Sequence, residues 1–186
     1  MADEVWLLRH AETEWSRNGK HTGRTDIPLT EKGREAARVL GERLRSEHFD
    51  LILCSPLSRA RETAQLAGLE CSGLRDDLLE WDYGEYEGLT TPEIRKELPR
   101  WFLWHDGAPG GELPHDVAAR CDRVIAEVRA VDGKVALVAH GHILRALAAR
   151  WVQAPIDLGG RLHLGTGTVS VLAYEREVSV ISRWNT

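Results

Sequence analysis

The sequence predicts an α/β fold, a three-layer sandwich in which a mainly parallel sheet carries helices on both faces and a hairpin ends the chain. Three observations lead to this prediction. Short apolar runs alternate with amphipathic runs of helical period, the order that right-handed βαβ crossovers produce. Turn and capping residues separate these runs. Two strand-like runs near the C-terminus flank Glu175-Arg176-Glu177, which is the pattern of a hairpin.

Each predicted element has its own local signal. The apolar runs Val5–Leu8 and Asp50–Cys54 predict two buried strands, and an apolar face of helical period predicts a helix from Thr30 to Phe49. Ser55-Pro56 predicts a further helix, with the serine as N-cap and the proline at the first helical position. The remaining predicted elements are a short helix from Thr91-Pro92 to Pro99, a helix over 115–131, a strand over 134–139, a helix over 141–151, and hairpin strands over 168–174 and 178–183.

Length and composition indicate a soluble globular protein. The 186 residues favour one domain over residues 1–186, with the least regular segment, residues 80–114, as a small cap or lid. The net charge of −5 argues against a general electrostatic attraction to nucleic acid or to anionic membranes, so any anion site must be a local positive pocket. Because no apolar run has the length of a membrane span or the pattern of a signal peptide, we expect a cytoplasmic location.

The cysteines predict no disulfide framework. Cys54, Cys71 and Cys121 are odd in number, lie far apart and form no C-x-x-C pair. Cys54 and Cys121 fall on apolar runs. We therefore expect all three to be reduced packing residues.

Positively charged side chains and imidazoles follow three of the predicted strands or begin the helices after them. Arg9 and His10 end the first strand, Arg59 lies in the first turn after the second, and His140-Gly141-His142 follows the strand over 134–139. The carboxyl ends of parallel strands share one edge of the sheet, where ligands bind. Two arginines, two histidines and two helix N-termini would surround one point there, which suits a doubly charged anion such as phosphate.

The histidines also fit two other interpretations. His140-x-His142 is the beginning of a metal-site spacing, but no third ligand is closely spaced, so we expect neither a metal nor a cofactor. His21, His105 and His115 fit the mouth of the pocket and solvated loops equally well.

Five segments resemble the signatures of the histidine phosphatase superfamily, in its phosphoglycerate-mutase-like branch, and occur in the order found there. The segments are Arg9-His10-Ala11-Glu12-Thr13-Glu14-Trp15, residues 23–30 (GRTDIPLT), Ser55-Pro56-Leu57-Ser58-Arg59-Ala60, residues 80–88 (EWDYGEYEG) and His140-Gly141. Two residues depart from the family pattern: Ala11 replaces a common Gly, and Ser16 replaces a frequent Asn. Residues 80–112 and 140–146 resemble most the small acid phosphatases and the sedoheptulose-bisphosphatase-like members.

The resemblance implies a role for each matching residue. His10 is similar to the nucleophile that becomes phosphohistidine, and Glu80 stands where the family keeps its general acid. Arg9, Arg59 and His140 resemble the other members of the phosphate pocket. The residues at substrate-contacting positions are Ser16, Thr22, Gly23, Tyr83, Gly141 and His142. A nucleophilic His10 must be neutral, so we expect its other ring nitrogen to donate to a carbonyl.

These roles predict a metal-independent phosphomonoester hydrolase that acts on small phosphorylated metabolites. Its ligands would be such a substrate or inorganic phosphate. One alternative is a cofactor-dependent phosphoglycerate mutase, which is disfavoured because the region after the acid motif is short and offers only Arg95, Lys96 and Arg100 as further cations. An alternative of another class is a catalytically idle module that binds phospho-ligands. A homodimer through the apolar terminal hairpin is compatible with the sequence.

Overall fold

One six-stranded sheet forms the centre of the computed structural model, which describes residues 2–186. The strands lie in the order β3-β2-β4-β1-β5-β6. The first four strands of that order are parallel to one another. Strand β5 is antiparallel to both of its neighbours, β1 and β6. Their bounds are β1 Ala2–Arg9, β2 Leu51–Cys54, β3 Gly73–Leu74, β4 Gly133–Ala139, β5 Val169–Glu175 and β6 Val178–Arg183. The mainly parallel sheet and the C-terminal hairpin are confirmed.

Seven α-helices connect and cover the strands within the described residues. Their bounds are α1 Glu14–Arg17, α2 Glu31–Leu44, α3 Ser58–Leu66, α4 Thr91–Glu97, α5 Leu103–Asp106, α6 Pro114–Arg129 and α7 Gly141–Trp151. Short 3₁₀ turns lie at Asp76–Leu78, Gly84–Tyr86 and Ile156–Arg161. No helix within residues 2–186 is long and apolar enough to cross a bilayer.

Helices on both faces of the sheet make the predicted three layers. Val5 and Leu7 of β1 belong to one buried cluster together with residues of α6 and α7. Trp6 and Leu8 point to the opposite face and join a second cluster with residues of α2 and α3. Because both faces of β1 are covered, its sequence is a continuous apolar run rather than an alternating one.

The start of α3 differs from the prediction. The helix begins at Ser58, and Leu57 is an N-cap without a side-chain hydrogen bond. The backbone N–H of Ser58 donates instead to Asp26 (N···Oδ1 2.9 Å). Asp26 lies 32 residues away along the chain, so local capping rules do not reveal it. The hydroxyl of Ser55, which we expected to cap this helix, accepts from the N–H of Leu57 (3.4 Å) before the helix begins and is also bonded to His140.

The prediction that all cysteines are reduced is wrong for two of them. Cys54 and Cys71 form a disulfide, and Cys121 is free and buried. Parallel pairing of β2 with β3 brings the two Cα atoms to 5.9 Å, which sequence spacing does not show. Burial raises the pKa of the Cys121 thiol to about 12, so this residue is an inert packing group.

The segment 80–114 packs closely onto the sheet. Trp81, Tyr83, Trp101 and Trp104 are buried and belong to the same apolar cluster as the inner residues of β1 and β4. The 3₁₀ turn at Gly84–Tyr86, α4 and α5 fall inside this segment. Its role as a cap and the single-domain organisation remain predictions.

Candidate active site

A cavity of about 250 Å³ opens beside the carboxyl ends of β1 and β4. Its lining residues are Arg9, His10, Ser16, Gly19, Lys20, His21, Thr22, Glu80, Tyr83, Thr91 and His142. Most residues singled out from the sequence therefore share one hollow. Arg59, His140, Gly23 and Gly141 are outside this lining set.

His10 has the geometry of a neutral nucleophile. It follows β1, and its backbone N–H donates to the Ala139 carbonyl (2.9 Å). Its ring Nδ1 lies 2.7 Å from the carbonyl oxygen of Ala11. Because a carbonyl only accepts, Nδ1 carries the proton and Nε2 keeps the lone pair of the neutral ring. Burial, followed by the positive charges of Arg9 and Arg59, lowers the pKa of His10 well below its usual value.

Arg9 supplies a fixed positive charge beside His10. One terminal nitrogen donates to the Leu164 carbonyl, and the side chain lines the cavity. Burial lowers its pKa, and the nearby Glu80 opposes that shift. A Cβ added to Gly141 would lie 3.2 Å from Arg9 Cζ, so the glycine at the start of α7 leaves room for the guanidinium. Gly141 therefore contributes to the site by allowing Arg9 to take its position.

Arg59, His140 and Ser55 form a buried chain of hydrogen bonds. Arg59 Nε lies 3.1 Å from His140 Nδ1 and can only donate, so Nδ1 accepts and His140 Nε2 carries the proton. That Nε2 donates to Ser55 Oγ (2.7 Å). The rings of His10 and His140 lie 5.1 Å apart. Burial first, and Arg59 second, lower the pKa of His140 well below its usual value, so its ring stays neutral.

The terminal nitrogens of Arg59 are bonded to a loop of the backbone. They donate to the carbonyl oxygens of Thr22 (3.1 Å), Gly23 (2.9 Å) and Thr25 (2.9 Å). The structure brings Arg59 close to His10 but behind the cavity wall. Its positive charge acts on the site from there, and its hydrogen bonds hold the loop that carries Thr22.

Glu80 is held by the N-terminus of α7. Its carboxylate accepts from the backbone N–H groups of Trp81 (2.9 Å), His142 (2.9 Å) and Ile143 (2.8 Å). The side chain is buried and still lines the cavity that His10 also lines. These three hydrogen bonds fix the orientation of Glu80.

Carboxylates occupy part of the two helix N-termini that the sequence predicted as anion binders. Glu80 accepts from the second and third N–H groups of α7, those of His142 and Ile143, and Asp26 accepts from the N–H of Ser58, the first residue of α3. Carboxylates from distant parts of the chain satisfy these donors, so side chains such as Arg9 provide the positive charge at the cavity.

Tyr83 and His142 form the wall beside Glu80. The Tyr83 hydroxyl and His142 Nδ1 are joined by a 2.6 Å hydrogen bond. Burial raises the pKa of Tyr83 well above its usual value and lowers that of His142 well below, so both groups are uncharged. Within residues 2–186 no cluster of three or more His, Cys, Asp or Glu side chains suits a metal ion.

The remaining predicted contacts separate into two groups. Ser16 and Thr22 line the cavity, and Ser16 also closes a capping box with Thr13 at α1. Gly23 is turned away, because its N–H donates to Glu87 (2.8 Å) and its carbonyl accepts from Arg59. A Cβ at Gly23 would lie 2.6 Å from the Trp81 carbonyl oxygen, so close packing accounts for this glycine.

Several residues that line the cavity were not predicted from the sequence. Lys20 reaches the cavity from a loop without periodic pattern, and Thr91 reaches it from the first residue of α4; an isolated bridge pairs Lys20 with Thr90. His21, left open above, is buried in the cavity wall, and desolvation lowers its pKa to about 4. His105 and His115 are exposed beside Asp157 and Asp116.

Comparison with known proteins identifies the family of the chain. The profile of the histidine phosphatase superfamily (branch 1) matches residues 5–186. An acid phosphatase of Mycobacterium tuberculosis is 42% identical over 176 residues, which cover 92% of this chain and 87% of the relative. A sedoheptulose 1,7-bisphosphatase of Saccharomyces cerevisiae is 35% identical over 179 residues, which cover 78% of this chain and 66% of the relative.

Structural comparison gives the same result. The solved structure of an open reading frame of Mycobacterium tuberculosis superposes with a TM-score of 0.93 at 40% identity, covering 98% of this chain and 96% of that one. The profile match includes all residues of the candidate site, from Arg9 to His142. The chain is therefore an enzyme of the histidine phosphatase superfamily, branch 1.

Proposed function

We propose that this phosphatase hydrolyses phosphate monoesters of small metabolites through a phosphohistidine on His10, without a metal ion. One observation carries the proposal. The Nδ1 of His10 is bonded to the Ala11 carbonyl, which leaves a nucleophilic Nε2 in the cavity that also holds Arg9 and Glu80. The sequence relatives named as acid phosphatase and sugar bisphosphatase support hydrolysis over a mutase or an idle binding module.

The first step transfers the phosphoryl group to the protein. His10 Nε2 attacks phosphorus, the N–P bond forms and the bond to the ester oxygen breaks. Charge on the transferred group lies on its equatorial oxygens, and fixed positive charge from Arg9, supported by Arg59 behind the wall, stabilises it. Glu80, in its protonated form, gives its proton to the departing oxygen.

The second step returns the protein to its starting state. The Glu80 carboxylate accepts a proton from a water molecule as that water attacks phosphorus. The N–P bond then breaks, inorganic phosphate leaves and His10 is again neutral. The three backbone donors that orient Glu80 serve both steps, because they fix the same carboxylate at the same place.

Trapping of the intermediate tests the proposal. The wild-type protein, in the presence of a chelator, is expected to release phosphate from p-nitrophenyl phosphate and to retain acid-labile label after a quench with ³²P-labelled substrate. His10→Ala should lose both signals. Efficient interconversion of phosphoglycerate isomers with negligible hydrolysis, or turnover by His10→Ala at the wild-type rate, contradicts the proposal.

Residues 80–114 are proposed as the cap that sets substrate specificity, because Glu80, Tyr83 and Thr91 of this segment line the cavity. The cytoplasmic location, the homodimer and the lack of a nucleic-acid partner remain predictions. Chromatography with light scattering at several protein concentrations tests the oligomeric state.

A further inference from the structure

A second cavity, of about 180 Å³, adjoins the one at His10. The two hollows share His21, Thr91 and His142 as wall residues. The other lining residues of this side cavity are Arg95, Trp101, Phe102, Leu103, Trp104, Arg145 and Gly160. A group attached to a phosphate at His10 therefore has a walled space to enter.

Arg145 presents unused hydrogen-bond donors to the side cavity. Its Nε donates to the Gly159 carbonyl (2.8 Å), and its guanidinium lies 5.1 Å from the centre of the Trp104 ring. Within residues 2–186 its terminal nitrogens have no hydrogen-bond partner. A guanidinium stays charged in proteins. Arg145 therefore places a positive charge with free N–H groups among the aromatic side chains that line the side cavity.

The surroundings hold Arg145 in place. A Cβ on Gly160 would lie 2.6 Å from Phe102 Cζ and 2.9 Å from Trp104 Cδ1, so the Gly159-Gly160 backbone lies directly against the aromatic rings. The carbonyl that anchors Arg145 belongs to this backbone. The guanidinium is therefore positioned before any ligand arrives, which lowers the entropic cost of binding.

The charges around the side cavity favour an anion. Its lining includes no acidic residue. Burial keeps the two histidines of its wall, His21 and His142, neutral. Arg95 stands at the exposed rim, with Nε on the Trp101 carbonyl (3.0 Å). Glu80 is close enough to interact electrostatically with Arg145, but all three donors described for Glu80 are backbone groups.

We propose that the side cavity binds a second anionic group, a carboxylate or a phosphate, carried by the leaving group of the substrate, and that Arg145 is its hydrogen-bond donor. The preferred substrates are then phosphorylated acids or bisphosphates rather than esters of neutral alcohols. This inference rests on the proposed function, because it takes the cavity at His10 as the place of phosphoryl transfer.

Matched aryl phosphates test the subsite. The kcat/KM values of meta-carboxyphenyl phosphate and meta-phenylene bisphosphate are each divided by that of meta-carbamoylphenyl phosphate, a neutral analogue of similar shape. In Arg145→Gln we expect at least one ratio to fall about tenfold, the factor that loss of one charged hydrogen bond gives. Arg145→Lys, which restores the charge, should recover part of that ratio. The substrate with the larger loss identifies the preferred anion.

Arg129→Gln is the control, because Arg129 also stacks on a tryptophan (4.8 Å from the Trp151 ring) but lies outside both cavities. Its ratios should equal those of the wild type. If both ratios in Arg145→Gln equal the wild-type ratios while all substrates are hydrolysed, the subsite is refuted and the phosphatase proposal stands. If the wild type hydrolyses none of these esters, the proposed function itself fails.

Discussion

Ser55→Ala should weaken both the stability and the activity of the protein, because Ser55 is the acceptor for His140. Both side chains are fully buried, and the His140 Nε2···Ser55 Oγ distance is 2.7 Å. The Arg59 donor on Nδ1 forces the proton onto Nε2, so the variant leaves a buried N–H without a partner. Such a group costs about 1–3 kcal/mol. The total stability of a domain is about 5–15 kcal/mol, so the loss is measurable.

Urea unfolding followed by tryptophan fluorescence measures the loss. With an m-value of about 2 kcal/mol/M, the midpoint should fall by about 0.5–1.5 M at an unchanged slope. The kcat/KM for p-nitrophenyl phosphate should fall as well, since the His140 ring packs 5.1 Å from that of His10. Ser46→Ala removes an exposed serine hydroxyl and serves as the control, with an expected change within about 0.5 kcal/mol. An equal midpoint shift in Ser55→Ala and Ser46→Ala would refute the assigned role of Ser55.

Four further predictions concern pH and the catalytic groups. Because burial lowers the pKa of His10, the pH profile of kcat/KM should show no decline between pH 7 and pH 5, and a loss that follows a pKa near about 6.5 would contradict a permanently neutral nucleophile. His21 has a folded-state pKa of about 4, so the unfolded chain takes up the extra proton and stability falls as the pH drops from about 6.5 to 4; His21→Gln should reduce that fall, by about 3 kcal/mol at most, in urea titrations at each pH. Glu80→Gln should lower kcat/KM for alkyl phosphates by about 10²–10⁴ and affect p-nitrophenyl phosphate less, and equal losses for both would remove the general-acid role. Gly141→Ala sets a Cβ 3.2 Å from Arg9 Cζ and should lower kcat/KM about tenfold, whereas wild-type kinetics would show that Arg9 shifts without consequence.

Periodic patterns made most of the fold predictable. α7 begins and ends where the sequence predicted, at Gly141 and Trp151, because an apolar strand, a glycine and a helical stripe succeed one another without ambiguity. The predicted bounds of the hairpin agree within one residue, because two strand-like runs flank a short charged turn. The end of the helix predicted from Thr30 is less accurate: α2 stops at Leu44 rather than Phe49, and Phe49 packs edge-on against Trp6 instead.

The sequence by itself determined the fold class, the strand ends that carry Arg9 and His10, and the approach of Arg59 and His140 to that point, whereas the place of Glu80 followed only from the family resemblance. Local propensity and the common edge of parallel strands suffice for these features. The tertiary structure decided which groups satisfy which donors. Glu80 and Asp26 occupy helix N-termini, Ser55 bonds His140, Cys54 meets Cys71, and Arg145 faces a side cavity. Each of these contacts joins residues that are distant along the chain, and a buried polar group bonds whichever partner the packing brings within reach.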